Sequence, residues 1–128
     1  MVKGIGVDVV EIGRVAAAWR RRPGRFAARV FGPQELEYCL ARKHPASSLA
    51  ARFAAKEAVM KALGLGLGRC RWQDIEISMA SGRGPEVVLR GAARERAENQ
   101  GITRVVVSLS HSREQAVALA VAEGEVKA

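Results

Sequence analysis

A long alanine-rich segment, from about Ser47 to Leu63, constrains the fold of this chain more than any other feature. It contains neither glycine nor proline, Ser47 or Ser48 can cap its start, and Gly64 stands where a left-handed residue commonly ends a helix. We therefore predict one long helix here. Such a helix must bury a face against another layer, so we expect the strands predicted elsewhere to form a sheet that packs against it.

The rest of the chain predicts strands and shorter helices around this helix. Runs of β-branched and apolar residues predict strands from Val2 to Val10, Trp72 to Met79 and Glu86 to Arg90, and a closing hairpin of Arg104 to Ser110 with Gln115 to Ala122. Further helices are predicted from Glu11 with an interruption at Pro23-Gly24, from Pro33 to near Pro45, and from Ala92 to Gln100. The sum is an α+β fold, one domain over residues 1–128, with a mixed or antiparallel sheet packed against one long central helix.

Composition and charge limit the classes of protein that fit. The chain is 48% hydrophobic, which is typical of a globular domain, and its start lacks the layout of a secretion signal or membrane span, so we expect a cytoplasmic location and no membrane partner. Cys39 and Cys70 have no metal-binding spacing. The 21 basic and 13 acidic residues give a net charge of +8, which should attract a polyanion such as nucleic acid, an anionic membrane or an acidic protein.

The first predicted strand places an acid beside two glycines. Alternation puts Gly4, Gly6 and Asp8 on one face, so another backbone or side chain can approach the glycines closely, with Asp8 at the end of that approach. The alternative is that Asp8 caps the helix that follows a few residues later.

The long helix carries Glu57 and Lys61 on the same stripe as two alanines, Ala50 and Ala54. This stripe could form the floor of a polar site, although an ordinary surface ion pair between Glu57 and Lys61 is the alternative. The glycines after the helix could bring backbone amides close to phosphate oxygens. Their spacing matches neither the dinucleotide fingerprint nor the P-loop.

A cluster of hydroxyls and one imidazole, Ser108 to Ser112, ends the first strand of the closing hairpin. Adjacent strand residues point to opposite faces, which separates Ser110 from His111 and argues against a serine hydrolase. The cluster is better suited to donating hydrogen bonds to phosphate, or it is a simple polar turn.

Together these features resemble the holo-acyl-carrier-protein synthase family of phosphopantetheinyl transferases, over nearly the whole chain. The resemblance is carried by Gly4-Ile5-Gly6-Val7-Asp8 with Arg14, by Arg52-Phe53-Ala54-Ala55-Lys56-Glu57-Ala58 through Lys61-Ala62-Leu63-Gly64, by Ser108-Leu109-Ser110-His111, and by the intervening Trp72-Gln73-Asp74-Ile75-Glu76 and Gly84-Pro85. Leu65 departs from the family pattern, where we expect a threonine in many members, so one hydroxyl contact to phosphate is absent.

The resemblance implies transfer of 4′-phosphopantetheine from coenzyme A to a serine of an acyl carrier protein, with release of adenosine 3′,5′-bisphosphate. It implies Mg²⁺ on Asp8 and Glu57, with Lys61 steadying the bridging and leaving oxygens, and it leaves open whether Asp8 or Glu57 takes the serine proton. It also implies a homotrimer with coenzyme A between subunits. The implied coenzyme A residues are Arg52, Lys61, Gly64, Gly66, Pro85, Ser110 and His111, and the residues expected to dock the acidic carrier are Arg14, Arg21 and Arg25.

Two other functions are alternatives to this hypothesis. A nucleic-acid-binding module would also explain the charge of +8, but the six aromatic residues before Gln73 are scattered in sequence and no recognisable nucleic-acid motif is present. A metal-dependent phosphohydrolase could use the same two acids, and only the reaction product distinguishes it from a transferase.

Overall fold

A computed structural model of the protein describes residues 1–66 and 68–125. The chain begins with strand β1 (Val2–Glu11) and continues through helices α1 (Ile12–Arg21), α2 (Pro23–Val30), α3 (Pro33–Leu40) and α4 (Pro45–Ala62). A short 3₁₀ turn (Trp72–Asp74) leads into β2 (Ile75–Ser78) and β3 (Glu86–Leu89). The last elements are α5 (Gly91–Asn99), β4 (Ile102–His111) and β5 (Gln115–Gly124).

The strands form two antiparallel sheets, so the predicted α+β class is confirmed and the antiparallel alternative is the one observed. One sheet has the order β1-β5-β4 and contains the predicted hairpin, and the other pairs β2 with β3. Helix α4 lies against the larger sheet and buries most of its residues, which places it in the centre of the core.

Glycines of β1 allow α4 to approach closely. A methyl group at Gly4 would overlap the carbonyl oxygen of Ala62, and one at Gly6 would overlap that of Ala58. The prediction that the glycine face of the first strand receives another backbone is therefore confirmed. This contact fixes the distance between the end of β1 and the second half of α4.

The opposite face of the larger sheet is apolar and open. Ile5, Val7 and Val9 are each more than half exposed, and they stand in register with Val121, Leu119 and Val117 of β5. Helix α4 covers the other face of this sheet. No element among the described residues covers the open face.

Two boundaries differ from the predictions for local reasons. Helix α4 begins at Pro45, which suits the first turn of a helix, so neither Ser47 nor Ser48 is the cap. The predicted strand from Trp72 starts only at Ile75, because the Asp74 side chain accepts a hydrogen bond from the Arg71 amide at 3.1 Å and holds a 3₁₀ turn.

Candidate functional site

The close contact of β1 with α4 brings the carboxylates of Asp8 and Glu57 together. Lys61, one turn after Glu57, donates from Nζ to Oδ1 of Asp8 at 3.2 Å and to the carbonyl of Val7 at 2.9 Å. Oδ2 of Asp8 is buried and has no hydrogen-bond partner among residues 1–66 and 68–125. An acceptor oxygen left in this state is suited to a cation or a proton donor.

The two acids share one environment, which changes how Glu57 titrates. Burial, the nearby charge of Asp8 and a hydrogen bond to Asp8 raise the pKa of Glu57 to about 7, against a smaller lowering by Lys61. When Glu57 holds a proton it can donate to Asp8, and when it is ionised the two carboxylates repel each other. Near neutral pH the pair is therefore suited to sharing one proton.

Both simpler alternatives for these residues are wrong. Asp8 does not cap α1, because the cap position is Glu11, whose side chain makes no capping hydrogen bond. Among the described residues Lys61 forms its ion pair with Asp8 and not with Glu57. Lys61 is also about half exposed, so its ammonium can leave Asp8 for another anion.

A cleft of about 450 Å³ opens at the carboxylates and continues between α1 and α2. Its apolar wall contains Phe26 and Phe53, whose rings stack at 6.3 Å, and Phe53 in turn stacks on Trp72 at 4.7 Å. The aromatic residues that are scattered in sequence thus meet in the fold. Their side chains form part of the wall of this cleft and pack in the hydrophobic core beneath it.

The three arginines predicted to dock the carrier differ in whether they line the cleft. Arg14 lines it together with Asp8 and Glu57. Arg21, at the end of α1, and Arg25, in α2, are exposed but do not line it. Glu11 is a lining acid that the sequence did not indicate, because strand alternation places it on the face opposite Asp8.

The predicted coenzyme A residues fall into two groups. Arg52, Pro85 and His111 line one pocket of about 360 Å³. Lys61, Gly64 and Gly66 lie near the other end of α4, and ten residues of helix, about 15 Å, separate Arg52 from Ala62. Ser110 does not line the pocket, and Ser108 takes its place.

Arg52 is the central side chain of this second pocket. It is buried, its guanidinium carbon lies 4.4 Å from the Tyr38 ring centroid, and its Nε has no hydrogen-bond partner in the described part of the chain. Arg42 approaches the same ring at 5.1 Å. The pocket therefore offers two guanidinium groups and an imidazole, a set suited to phosphate, and sequence spacing gave no signal for Tyr38 or Arg42.

The glycine loop after α4 uses its first two amides to close the helix. The Gly64 amide donates to the carbonyl of Lys61 at 3.0 Å, and the Leu65 amide donates to that of Met60 at 2.8 Å. Gly64 has φ +71°, as predicted for the left-handed terminator. These two amides are committed to the helix end, and Leu67 of the loop lies outside the described residues.

Another cavity, of about 760 Å³, lies away from the Asp8–Glu57 cleft. It is formed between β3, α5 and β4, and Pro85 is the one predicted site residue in its lining. Within residues 1–66 and 68–125 no group of three or more His, Cys, Asp or Glu side chains is arranged to hold a metal ion. No helix in those same ranges is long and apolar enough to cross a bilayer.

Comparisons with known proteins agree on one family. The family model for the 4′-phosphopantetheinyl transferase superfamily matches residues 4–121. The chain is 55% identical over 118 residues to a holo-[acyl-carrier-protein] synthase of Moorella thermoacetica, covering 92% of this chain and 91% of the relative. It is 50% identical to one from Desulforudis audaxviator, with 97% and 95% covered.

Solved structures give the same result for the fold. The holo-[acyl-carrier-protein] synthase of Neisseria meningitidis is similar with a TM-score of 0.85 at 36% identity, covering 96% of this chain and 99% of that one. The Helicobacter pylori synthase in complex with coenzyme A is similar with a TM-score of 0.81 at 32% identity, covering 93% and 99%.

Proposed function

Because this chain belongs to the 4′-phosphopantetheinyl transferase superfamily, we propose that it transfers 4′-phosphopantetheine from coenzyme A to a serine of apo-acyl carrier protein. The serine oxygen forms a bond to the β-phosphorus, and the bond from that phosphorus to the bridging oxygen breaks. The products are holo-acyl carrier protein, which serves fatty acid biosynthesis, and adenosine 3′,5′-bisphosphate. The observation that carries the proposal is the Asp8–Glu57 pair, with its unpartnered buried oxygen, in a chain of this family.

Asp8 and Glu57 would hold Mg²⁺. The fit rests on the unpartnered Oδ2 of Asp8 and on the raised pKa of Glu57, since a cation would satisfy the first and replace the proton on the second. Mg²⁺ is commonly held by one or two carboxylates with substrate phosphate and water completing the shell, so two acids are sufficient. When bound, the ion would neutralise charge on the diphosphate.

Lys61 and the acid pair would move the protons. Lys61, half exposed and one turn from Glu57, would turn from Asp8 toward the diphosphate and donate a proton to the leaving oxygen. Either Asp8 or Glu57 would take the serine proton.

The pocket of Arg52, Pro85 and His111 would complete the coenzyme A site from a neighbouring subunit. It shares no lining residue with the Asp8–Glu57 cleft. The open apolar face of Ile5, Val7 and Val9 with β5 is a surface that a second copy could cover. We propose a homotrimer in which that packing brings one chain's pocket to its neighbour's cleft.

Subunit complementation tests the shared site. Glu57→Gln and His111→Ala are each expected to be weakly active, and mixed oligomers refolded together should regain activity because each chain supplies the residue that the other lacks. Each variant refolded alone is the control. Mixed oligomers, verified by mass, that are no more active than the separate variants would contradict a shared site.

The carrier would dock on the basic surface of α1 and α2. Arg14 at the cleft and the exposed Arg21 and Arg25 present positive charge to an acidic partner. Arg14→Glu should raise the Michaelis constant for carrier more than that for coenzyme A. Arg94→Glu on α5 makes the same change in charge away from this surface and is the matched control.

The activity itself is tested by mass spectrometry. Incubation with coenzyme A, Mg²⁺ and an apo carrier should enlarge the carrier by the mass of one phosphopantetheine, and a chelator should prevent this. An unmodified carrier together with hydrolysed coenzyme A would instead identify a phosphohydrolase. We further propose that residues 1–128 act as one domain and that the enzyme works in the cytoplasm.

A further inference from the structure

The end of α4 poses an electrostatic problem for a phosphate site. The carbonyl end of a helix carries partial negative charge, which repels anions. The amides of Gly64 and Leu65 cannot offset this charge, because both donate back to carbonyls of the last helical turn. Leu65 also offers no hydroxyl.

Arg96 of α5 lies at this helix end. Its Nε donates to the carbonyl oxygen of Leu63 at 3.0 Å, across 33 residues of sequence. Its terminal nitrogen NH2 would stand 3.1 Å from a methyl group added at Gly64, so the guanidinium lies directly against the turn. With its amide oxygen facing the guanidinium, Gln100 accepts from Nε and NH2 at 3.2 and 3.1 Å.

This arrangement holds a guanidinium cation against the Leu63 carbonyl, at the C-cap of α4. Gln100, one turn further along the chain, holds the guanidinium in place. A guanidinium has five N–H donors, and these contacts use only Nε and one terminal nitrogen. The group can therefore close the helix and still present positive charge to a ligand above the turn.

We propose that Arg96 is a positioning residue for the phosphate groups of coenzyme A: it neutralises the carbonyl end of α4 and fixes the Gly64 turn, so that Lys61 and the turn receive those phosphates. The inference rests on the proposed function, in which the end of α4 binds coenzyme A.

Steady-state kinetics of Arg96→Met test the role. The Michaelis constant for coenzyme A should rise about fivefold, the scale of one favourable charge at a helix end, while kcat and the Michaelis constant for carrier change less than about twofold. Arg96→Lys should recover part of the loss, because it restores the charge without the planar contacts. Arg94→Met is the matched control, since Arg94 lies on the same helix and forms a local ion pair with Glu98, four residues further along.

Direct binding separates this role from a purely structural one. By calorimetry, the affinity of the Arg96→Met variant for adenosine 3′,5′-bisphosphate should fall by a similar factor, with Arg94→Met unchanged. Equal losses for both substrates, or a coenzyme A constant that matches wild type, would overturn the proposal. If Arg96→Met does not fold, the same kinetic and calorimetric measurements on Arg96→Lys test the proposal. An Arg96→Lys variant with wild-type affinity for adenosine 3′,5′-bisphosphate would overturn the proposal.

A failure of the proposed function would give a different result from a failure of the Arg96 proposal. In that case the wild-type protein itself would leave the carrier unmodified. If wild type loads the carrier and Arg96→Met does so with unchanged constants, only the role of Arg96 is lost.

Discussion

Lys56 and Glu57 are neighbours in α4, yet they lie in opposite kinds of environment. Lys56 is fully buried and all three of its ammonium donors are used, by Glu35 at 2.7 Å, Val30 O at 2.8 Å and the Trp72 carbonyl at 3.2 Å. Glu57 faces the cleft beside another acid, one of whose oxygens has no partner. A satisfied buried charge holds the fold together, whereas an unsatisfied pair of like charges is poised for a ligand.

The Lys56 centre joins distant parts of the chain. Glu35 of α3 also accepts from the Ile77 amide of β2 at 2.9 Å and from the Gly32 amide at 3.1 Å. Desolvation lowers the pKa of Lys56 and the charge of Glu35 opposes this, and we regard the lysine as charged because its donors meet a carboxylate and two carbonyls. It therefore positions the elements around the cleft without entering it.

The largest expected effect is on stability, from Lys56→Met. This change leaves Glu35 buried without its partner, so the free energy of unfolding should fall by about 3–5 kcal/mol. Urea denaturation followed by circular dichroism measures this. Lys61→Met is the matched control on the same helix and should cost less than about 1 kcal/mol, because Lys61 is half exposed. Similar losses of unfolding free energy in Lys56→Met and Lys61→Met would contradict the proposed difference between the two sides of α4.

Glu57→Gln should lower activity without lowering stability, the reverse of what is expected for Lys56→Met. We expect carrier loading to fall roughly a hundredfold or more, since a metal ion at a phosphoryl oxygen supplies several kcal/mol, while stability at pH 8 stays equal or increases. The increase follows because a like charge beside Asp8 is removed. Activity near the wild-type level would rule out the two-carboxylate site.

Gly6→Ala tests the contact that brings the acids together. A methyl group there would overlap the Ala58 carbonyl and push α4 from β1, costing about 1–3 kcal/mol. Activity should fall by more than this loss of stability explains, because Asp8 and Glu57 move apart. Gly13→Ala, in an open position on α1, is the control and should leave activity unchanged. Wild-type activity in Gly6→Ala would show that the acids tolerate the displacement.

The smallest expected effect is the pH dependence of stability. The folded chain keeps a proton on Glu57 up to about pH 7, whereas the unfolded chain releases it near 4.5. The stabilisation is thus fully present below pH 4.5 and is lost as the pH rises through 7. We expect about 1 kcal/mol, because the side chain is partly solvated. The difference between wild type and Glu57→Gln, measured by denaturation from pH 4 to 8, should show this fall, and Mg²⁺ should reduce it. A difference that does not vary with pH would contradict the shared proton.

The element order and the glycine-acid strand followed from the sequence, because periodicity, glycine placement and capping are local properties. The close approach of another backbone or side chain to Gly4 and Gly6 was also predictable, since only glycine leaves that face of a strand bare, but the structure identified α4 as the partner. The motif residues Asp8, Glu57 and Lys61 could likewise be named from their resemblance to a family.

Tertiary structure alone decided which charges are satisfied. Successive helix residues point about 100° apart, so the sequence assigns Lys56 and Glu57 to different sides but cannot say which side meets Glu35 and which meets Asp8. The partners of Lys61, Arg52 and Arg96 are likewise remote in sequence, separated by 53 residues for Asp8 and Lys61 and by 33 for Leu63 and Arg96. Contacts of that range depend on how the whole chain packs, and no local pattern encodes them.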